Sequence, residues 1–296
     1  MAPQLFFFIG KGGVGKSTIS AITSVHFSRS GLDTLLVSMD PAHNQQDIFD
    51  IQFSEKPRQI AQHLLVKEVD ADYWTKKYLK ATEEQIKSTY TYQSAFNLQH
   101  YFKILQYSPG LEEYALLLSF EDTIHRHKDK DIIIFDMAPT ALTLRFFSLP
   151  FITLIWLNEL LKLRKEMYEK KEIISKIKIG KKEFEQDRVQ SKLEMLIRNY
   201  QELRDLFVSD TTKVNLVMND DSLSFSEAVR IRQRLIDIGI TLHRVVINKA
   251  QHEKIPEKIR SEFPHQTITM FPYSSKHLIG LHTITEYIDA NKDIFT

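Results

Sequence analysis

Gly10-Lys11-Gly12-Gly13-Val14-Gly15-Lys16-Ser17 stands directly after an apolar run, Leu5 to Ile9, and directly before a helix of apolar periodicity. The octet satisfies the pattern G-x-x-x-x-G-K-[ST], in the strand, loop and helix context that this pattern requires. Its glycines let the backbone curl with the N–H groups inward, so the loop and the following helix N-terminus form a cage for phosphate oxygens. In such a cage Lys16 supplies charge to the β- and γ-phosphates, and the Ser17 hydroxyl reaches Mg²⁺. A nucleotide site made of Gly10, Lys11, Gly12, Gly13, Val14, Gly15, Lys16, Ser17 and Thr18 is therefore expected.

Working outward, five further apolar runs read as strands: Thr34 to Ser38, Asp131 to Phe135, Val214 to Met218, Arg244 to Ile247 and Thr267 to Phe271. Their apolar residues are continuous, as in a parallel sheet covered on both faces by helices. The predicted fold class is α/β: a phosphate-loop NTPase with a mostly parallel sheet between helices. Two long stretches between strands show helical spacing, with Leu193, Leu196, Ile197, Tyr200, Leu203, Leu206 and Phe207 on one face. One domain is expected, with a nucleotide core at about 1–50, 108–150 and 210–296. A helical subdomain would come from two insertions, at about 51–107 and 151–209. The first holds Tyr73, Trp74, Tyr78, Tyr90, Tyr92, Phe96, Tyr101, Phe102 and Tyr107, read chiefly as core. The second holds a basic stretch, Lys176 to Lys182, read as a solvated turn at a helix break.

Composition narrows the classes. Hydrophobic residues at 43% and charged residues at 26% describe an ordinary globular chain. Lys and Arg number 39 against 38 Asp and Glu, a net +1 that predicts no global attraction to nucleic acid or anionic lipid. Cysteine is absent, which excludes thiolate nucleophiles, disulfides, iron–sulfur clusters and Cys-ligated zinc. The apolar N-terminal run is too short for a signal-peptide core, so a cytoplasmic location is expected. Phe146 to Leu157, the longest apolar stretch, is interrupted by Pro150 and is too short for the roughly 20 residues of a spanning helix.

Lys11, a second lysine within the loop, marks a subclass. With it the sequence resembles the deviant phosphate-loop ATPases with a signature lysine, the group of MinD, ParA, the nitrogenase iron protein and the arsenical pump ATPases. Two more blocks narrow the resemblance to the arsenical pump ATPase family together with the tail-anchored-protein targeting ATPases. Asp40-Pro41-Ala42-His43-Asn44 ends the second run and is similar to that family's first switch, D-P-A-H-N. Asp136-Met137-Ala138-Pro139-Thr140-Ala141-Leu142-Thr143-Leu144-Arg145 ends the third and is similar to its second switch, D-T-A-P-T-G-H-T-L-R. Ser108-Pro109-Gly110 and Val246-Ile247-Asn248-Lys249 follow in matching order.

This resemblance implies an ATPase that uses ATP and Mg²⁺. Asp40 would activate the attacking water, and Asp136 would hold Mg²⁺ through its water shell. A carboxylate at the carboxyl end of a parallel strand faces the crevice where phosphates lie, which suits both roles. Capping or turn formation is the plainer alternative for either Asp. Pro41, His43 and Asn44 would complete the first switch, and Pro139 and Thr140 the second. Asn248 and Pro272 would contact adenine. Lys11 would reach the partner's nucleotide across a nucleotide-dependent homodimer interface, stabilising developing charge as an arginine finger does.

The sequence also departs from its relatives. Without cysteine there is no zinc clamp between subunits and no metalloid site, and these 296 residues carry the ATPase unit once, so arsenite transport is disfavoured. Ala141 replaces the second-switch Gly, keeping the N–H but losing easy access to positive φ. The second insertion holds only Met167 and Met195, few for a groove that adapts to varied clients. The leading expectation is a dimeric ATP-hydrolysing switch whose helical insertions bind a hydrophobic client helix or tail-anchored protein, with transient membrane association at most. A low-turnover scaffold or partitioning protein of the MinD or ParA kind is the alternative, and a small-molecule kinase a third.

Overall fold

In a computed structural model of the chain the opening apolar run is strand β1, Gln4–Ile9, paired in parallel with β5, Ile132–Asp136, on one side and β6, Thr212–Asn219, on the other. Residues 2–42, 44–89, 104–105, 108, 110–178, 188–252 and 254–295 are described, without the side chains of 85–89, 169–178 and 188. His43, Tyr90, Tyr92, Phe96, Tyr101, Phe102, Tyr107, Pro109 and the side chains of the basic stretch from Lys176 to Lys182 lie outside them.

The sheet has eight strands, in the order β3-β4-β2-β5-β1-β6-β7-β8, with β2 Thr34–Ser38, β3 Arg58–Ala61, β4 Leu64–Glu68, β7 Leu242–Ala250 and β8 Thr267–Pro272. Every neighbour pair is parallel except β3 with β4. The alternation of side chains along β1 sends residues to both faces, and both are apolar. On one face Phe7 stacks on Phe135 at 4.9 Å and meets Phe120 of helix α4, Leu111–Arg126, at 5.7 Å. On the other, Phe8, Leu36 and Ile134 pack with Ile19 and Ile22 of α1, Lys16–Arg29, and Ile284 of α9, Gly280–Ala290. Helices thus cover both faces, as the continuous apolar runs predict.

Strands β3 and β4 fall where the sequence reading has only helical insertion. The physical reason is that β4 buries Lys67 and Glu68, which break its apolar run, and β3 is a four-residue edge strand, Arg58-Gln59-Ile60-Ala61, whose first two residues are polar and exposed. Lys67 is satisfied there by Glu55 and Thr123, each at 3.2 Å. Helix α2, Asn44–Phe49, precedes these strands, and α3, Ala71–Thr89, follows and packs Tyr78 against Tyr114 of α4 at 4.8 Å.

Two compact units divide the chain: residues 1–146 with 210–296, and residues 147–209. The first unit holds the sheet, together with α7, Ser222–Asp237, and α8, Glu257–Glu262. The second unit is a helix pair, from α5, Thr140–Lys178, and α6, Arg188–Val208. There Leu154 and Leu157 of α5 pack against Ile197, with Leu193, Leu196 and Tyr200 alongside, the face that the periodicity predicts. The reading of Phe146 to Leu157 as too short to span a bilayer is corrected: α5 runs through Pro150, and Thr140–Tyr168 is long and apolar enough, by length and composition, to cross a membrane. Protein packing accounts for part of that apolarity, since Phe146, Leu154 and Leu157 are buried.

One partly buried acid gives a pH prediction. Burial pushes the Glu121 carboxyl on α4 up to about 7 from an ordinary 4.5. Between these values the folded state holds a proton that the unfolded chain releases, so this residue's effect is to lower stability as pH rises through that window. Glu121→Gln is expected to be more stable than wild type by about 1–2 kcal/mol at pH 8, after allowance for solvent screening, and indistinguishable near pH 4. Urea unfolding at the two pH values checks this, and a difference that does not change with pH would remove Glu121 as the cause.

Candidate functional site

β1 ends at Ile9, and the chain turns through Gly10 at φ +147°, where a Cβ would lie 2.3 Å from the Val217 carbonyl oxygen of β6. That oxygen belongs to a central strand and cannot move away. Gly10→Ala is therefore expected to cost about 3 kcal/mol or more of folding stability, whereas Gly12→Ala, with nothing within 4 Å of its Cβ position, stays within about 0.5 kcal/mol. Denaturant unfolding of both nucleotide-free variants decides this, and equal losses would refute the packing argument.

The loop closes at Gly15, the N-cap of α1, at φ +90°. No side chain caps α1 and no acid occupies its own first turn, so the first backbone N–H groups of the helix are not taken by a cap. A Cβ on Gly15 would come 2.2 Å from Nδ2 of Asn248, which donates to the Val14 carbonyl at 2.8 Å. The side chain of Asn248 thus closes over the loop, and its Oδ1 accepts from the Lys249 N–H.

Lys16 is buried and its Nζ donates to the Lys11 carbonyl at 3.3 Å. Burial lowers its pKa, while Asp136 and Asp40 oppose that shift. Asp136 ends β5 with no exposure, and burial raises its pKa to about 6 against the lowering effects of Ser17, Gln45 and Lys16. Its Oδ2 accepts from Gln45 Nε2 at 2.9 Å, and its Oδ1 is buried without a hydrogen-bond partner. Asp40, one residue beyond Met39, accepts the Ala42 N–H at 3.0 Å on Oδ1, the turn role that any strand-end Asp can play.

These elements enclose a cleft of about 730 Å³. Among the described residues it is lined by Gly12, Gly13, Gly15, Lys16, Ser17, Thr18, Asp40, Asn44, Pro139, Asn248 and Pro272 of the expected site. Gly10, Val14 and Asp136 are buried and, with Lys11, Pro41 and Thr140, do not line it. Sequence reasoning passes over Tyr273, Lys276, His277 and Tyr287, which also line it. Tyr287, whose hydroxyl donates to the Pro272 carbonyl at 2.8 Å, could have been flagged by the period of α9, where it follows buried Ile284. Ala141 sits within helix α5 and does not have positive φ, so this conformation has no need of the glycine it replaces.

A bound Mg²⁺ ion fits this arrangement. Magnesium sites at bound phosphates take one or two side-chain ligands and complete the octahedron with phosphate oxygens and water. A free carboxylate oxygen at Asp136 and the hydroxyl of Ser17 are the donor set required. Among the described residues no group of three or more His, Asp or Glu side chains forms a metal cage.

A family model described as anion-transporting ATPase, ArsA, matches residues 3–289. The chain belongs to this family. An ASNA1 ATPase homologue of Paramecium tetraurelia is 31% identical to it over 260 residues, 82% of this chain and 74% of the relative. An Aquifex aeolicus protein named for an arsenical pump-driving ATPase is 26% identical over 301 residues, covering 96% and 97%. An ASNA1 ATPase homologue of Dictyostelium discoideum is 28% identical over 259 residues, 85% and 73%. This ArsA-family protein is an ATPase, and the loop on which its sequence reading turns lines the cleft of about 730 Å³.

Proposed function

We propose that the protein is a nucleotide-driven switch that hydrolyses ATP in this cleft and uses the nucleotide state to hold or release a hydrophobic helix, as the tail-anchored targeting ATPases do. Water attacks the γ-phosphorus, the bond from that phosphorus to the bridging oxygen breaks, and ADP and phosphate leave. Lys16 and the loop N–H groups hold the oxygens that gain charge, and Asp40 orients the water and draws on its proton. Ser17 and Asp136 would hold magnesium, which would neutralise phosphate charge when bound. Asn248 and Pro272 would border the base. Lys11, half-buried at the lip of the loop, is free of the cleft wall and available to a second copy of the chain, where it would stabilise the transferring phosphoryl group.

The client reading rests on one observation. Ile152, Ile155, Trp156, Leu160, Leu163 and Met167 share one face of α5, and each is between 44% and 67% exposed. Spacings of three and four residues make this a continuous apolar stripe, opposite the residues that α6 covers. Exposed stripes of this kind mark binding surfaces for apolar helices. The same helix α5 begins at the second switch, Pro139 and Thr140, so a change at the switch acts on the element that bears the stripe.

The test uses Trp156 as reporter in a Trp74→Phe background, since these are the two tryptophans. Its emission is expected to differ between ATP-analogue and ADP states, and an apolar helical peptide to bind one state at least about fivefold more tightly. Identical emission and peptide affinity in both states would overturn the client reading and favour a scaffold.

A further inference from the structure

Gln45 is fully buried on α2, one residue after the first switch, in a segment, Gln45-Gln46-Asp47, whose composition suggests a solvated helix. Its Nε2 meets three acceptors: the Ser17 carbonyl at 3.1 Å, the Ser20 hydroxyl oxygen at 3.1 Å and Asp136 Oδ2 at 2.9 Å. Ser20 spends its own proton on the Ser17 carbonyl at 2.9 Å, so its oxygen is an acceptor toward Gln45. Three acceptors around one atom determine which end of the amide faces them. The other end, Oε1, is buried without a donor. An apolar side chain of equal length would fill the same space without that unpaired carbonyl, so packing alone does not account for an amide here.

What the amide does is visible in its partners. It joins the first switch, the first turn of α1 beside Ser17, and the carboxylate that ends β5. By occupying Oδ2 of Asp136 it leaves Oδ1 as that carboxylate's unpartnered oxygen. We propose that Gln45 is a positioning residue for the magnesium site, its amide fixing the Asp136 carboxylate and tying the first switch to the cation's affinity. This rests on the proposed function, in which Ser17 and Asp136 hold the ion. Hydrogen bonds to liganding carboxylates commonly govern metal affinity in this way.

The experiment measures ADP binding by calorimetry in EDTA and across a Mg²⁺ titration, for wild type, Gln45→Met and Gln45→Asn. The methionine keeps the length of the side chain and removes the donor, and the asparagine keeps the amide and withdraws it by one methylene. Both are expected to raise the half-saturating Mg²⁺ concentration about tenfold while ADP affinity in EDTA stays within about twofold of wild type. Half-saturation within twofold of wild type in both variants would overturn the inference and leave the proposed function standing. Equal loss of affinity with and without Mg²⁺, or loss of the fold in both variants by thermal melting, would make Gln45 structural and equally overturn it. A wild-type protein whose ADP binding ignores Mg²⁺ would remove the proposed magnesium site itself.

Discussion

Lys16→Ala is expected to weaken ATP binding about 100-fold or more, near 3 kcal/mol, and to bring turnover down to background. The side chain is buried at the end of the loop, where solvent cannot replace its charge. Burial alone disfavours the ammonium, and Asp136 and Asp40 are the charges that sustain it. Removing the lysine leaves these two carboxylates facing a polyanion without the one buried side-chain cation between them, which is worse than the loss of one hydrogen bond. Lys16→Met, which retains the stem, separates the two contributions: it is expected to fold as wild type and bind ATP as poorly as the alanine variant. Calorimetry with ATP and a phosphate-release assay check this. Unchanged ATP affinity in either variant would show that the loop is not the triphosphate cage.

The nucleotide half of the molecule was legible because its information is local. A strand, the loop from Gly10 to Gly15 and the helix that follows lie within 29 residues of the start, and the loop's glycines are readable wherever they fall. Asp40 was placeable for a similar reason, since position at a carboxyl end directs a side chain toward the crevice, and Asp40 lines the cleft. The resemblance supplied what spacing does not, above all the places of Asn248 and Pro272 beside the cleft.

What escaped the sequence depends on distant partners. β4 is a strand because Lys67 finds Glu55 and Thr123, and no window of five residues contains those partners. Gln45 reads as surface until Asp136, 91 residues away, is brought to 2.9 Å. The far wall of the cleft comes from the loop after β8 and from α9, whose aromatic residues give no motif. Pro150 illustrates the converse. A proline is a local signal of interruption, yet α5 continues through it, with apolar packing by Phe146 before it and by Leu154 and Leu157 after it.

Asp40→Asn is expected to lower kcat by a factor of about 10² to 10⁴, the usual range for a positioned general base, with ATP affinity held within a few-fold. Asparagine retains an oxygen that can accept the Ala42 N–H, so the turn after β2 survives and the effect isolates the negative charge. Asp40→Ala loses that hydrogen bond as well, and is expected to destabilise the folded protein by about 1 kcal/mol in addition to the same loss in rate. The pair of variants therefore separates the two roles that the sequence leaves open for this residue. If Asp40 is only a strand-end cap, the asparagine variant is silent in both assays and the alanine variant changes stability alone. If it orients water, the rates of the two variants fall together, while only the alanine variant melts earlier. Single-turnover phosphate release at saturating ATP, with thermal melting of the same samples, reads both quantities. A wild-type rate in Asp40→Asn would move catalysis to another group and leave Asp40 as a turn.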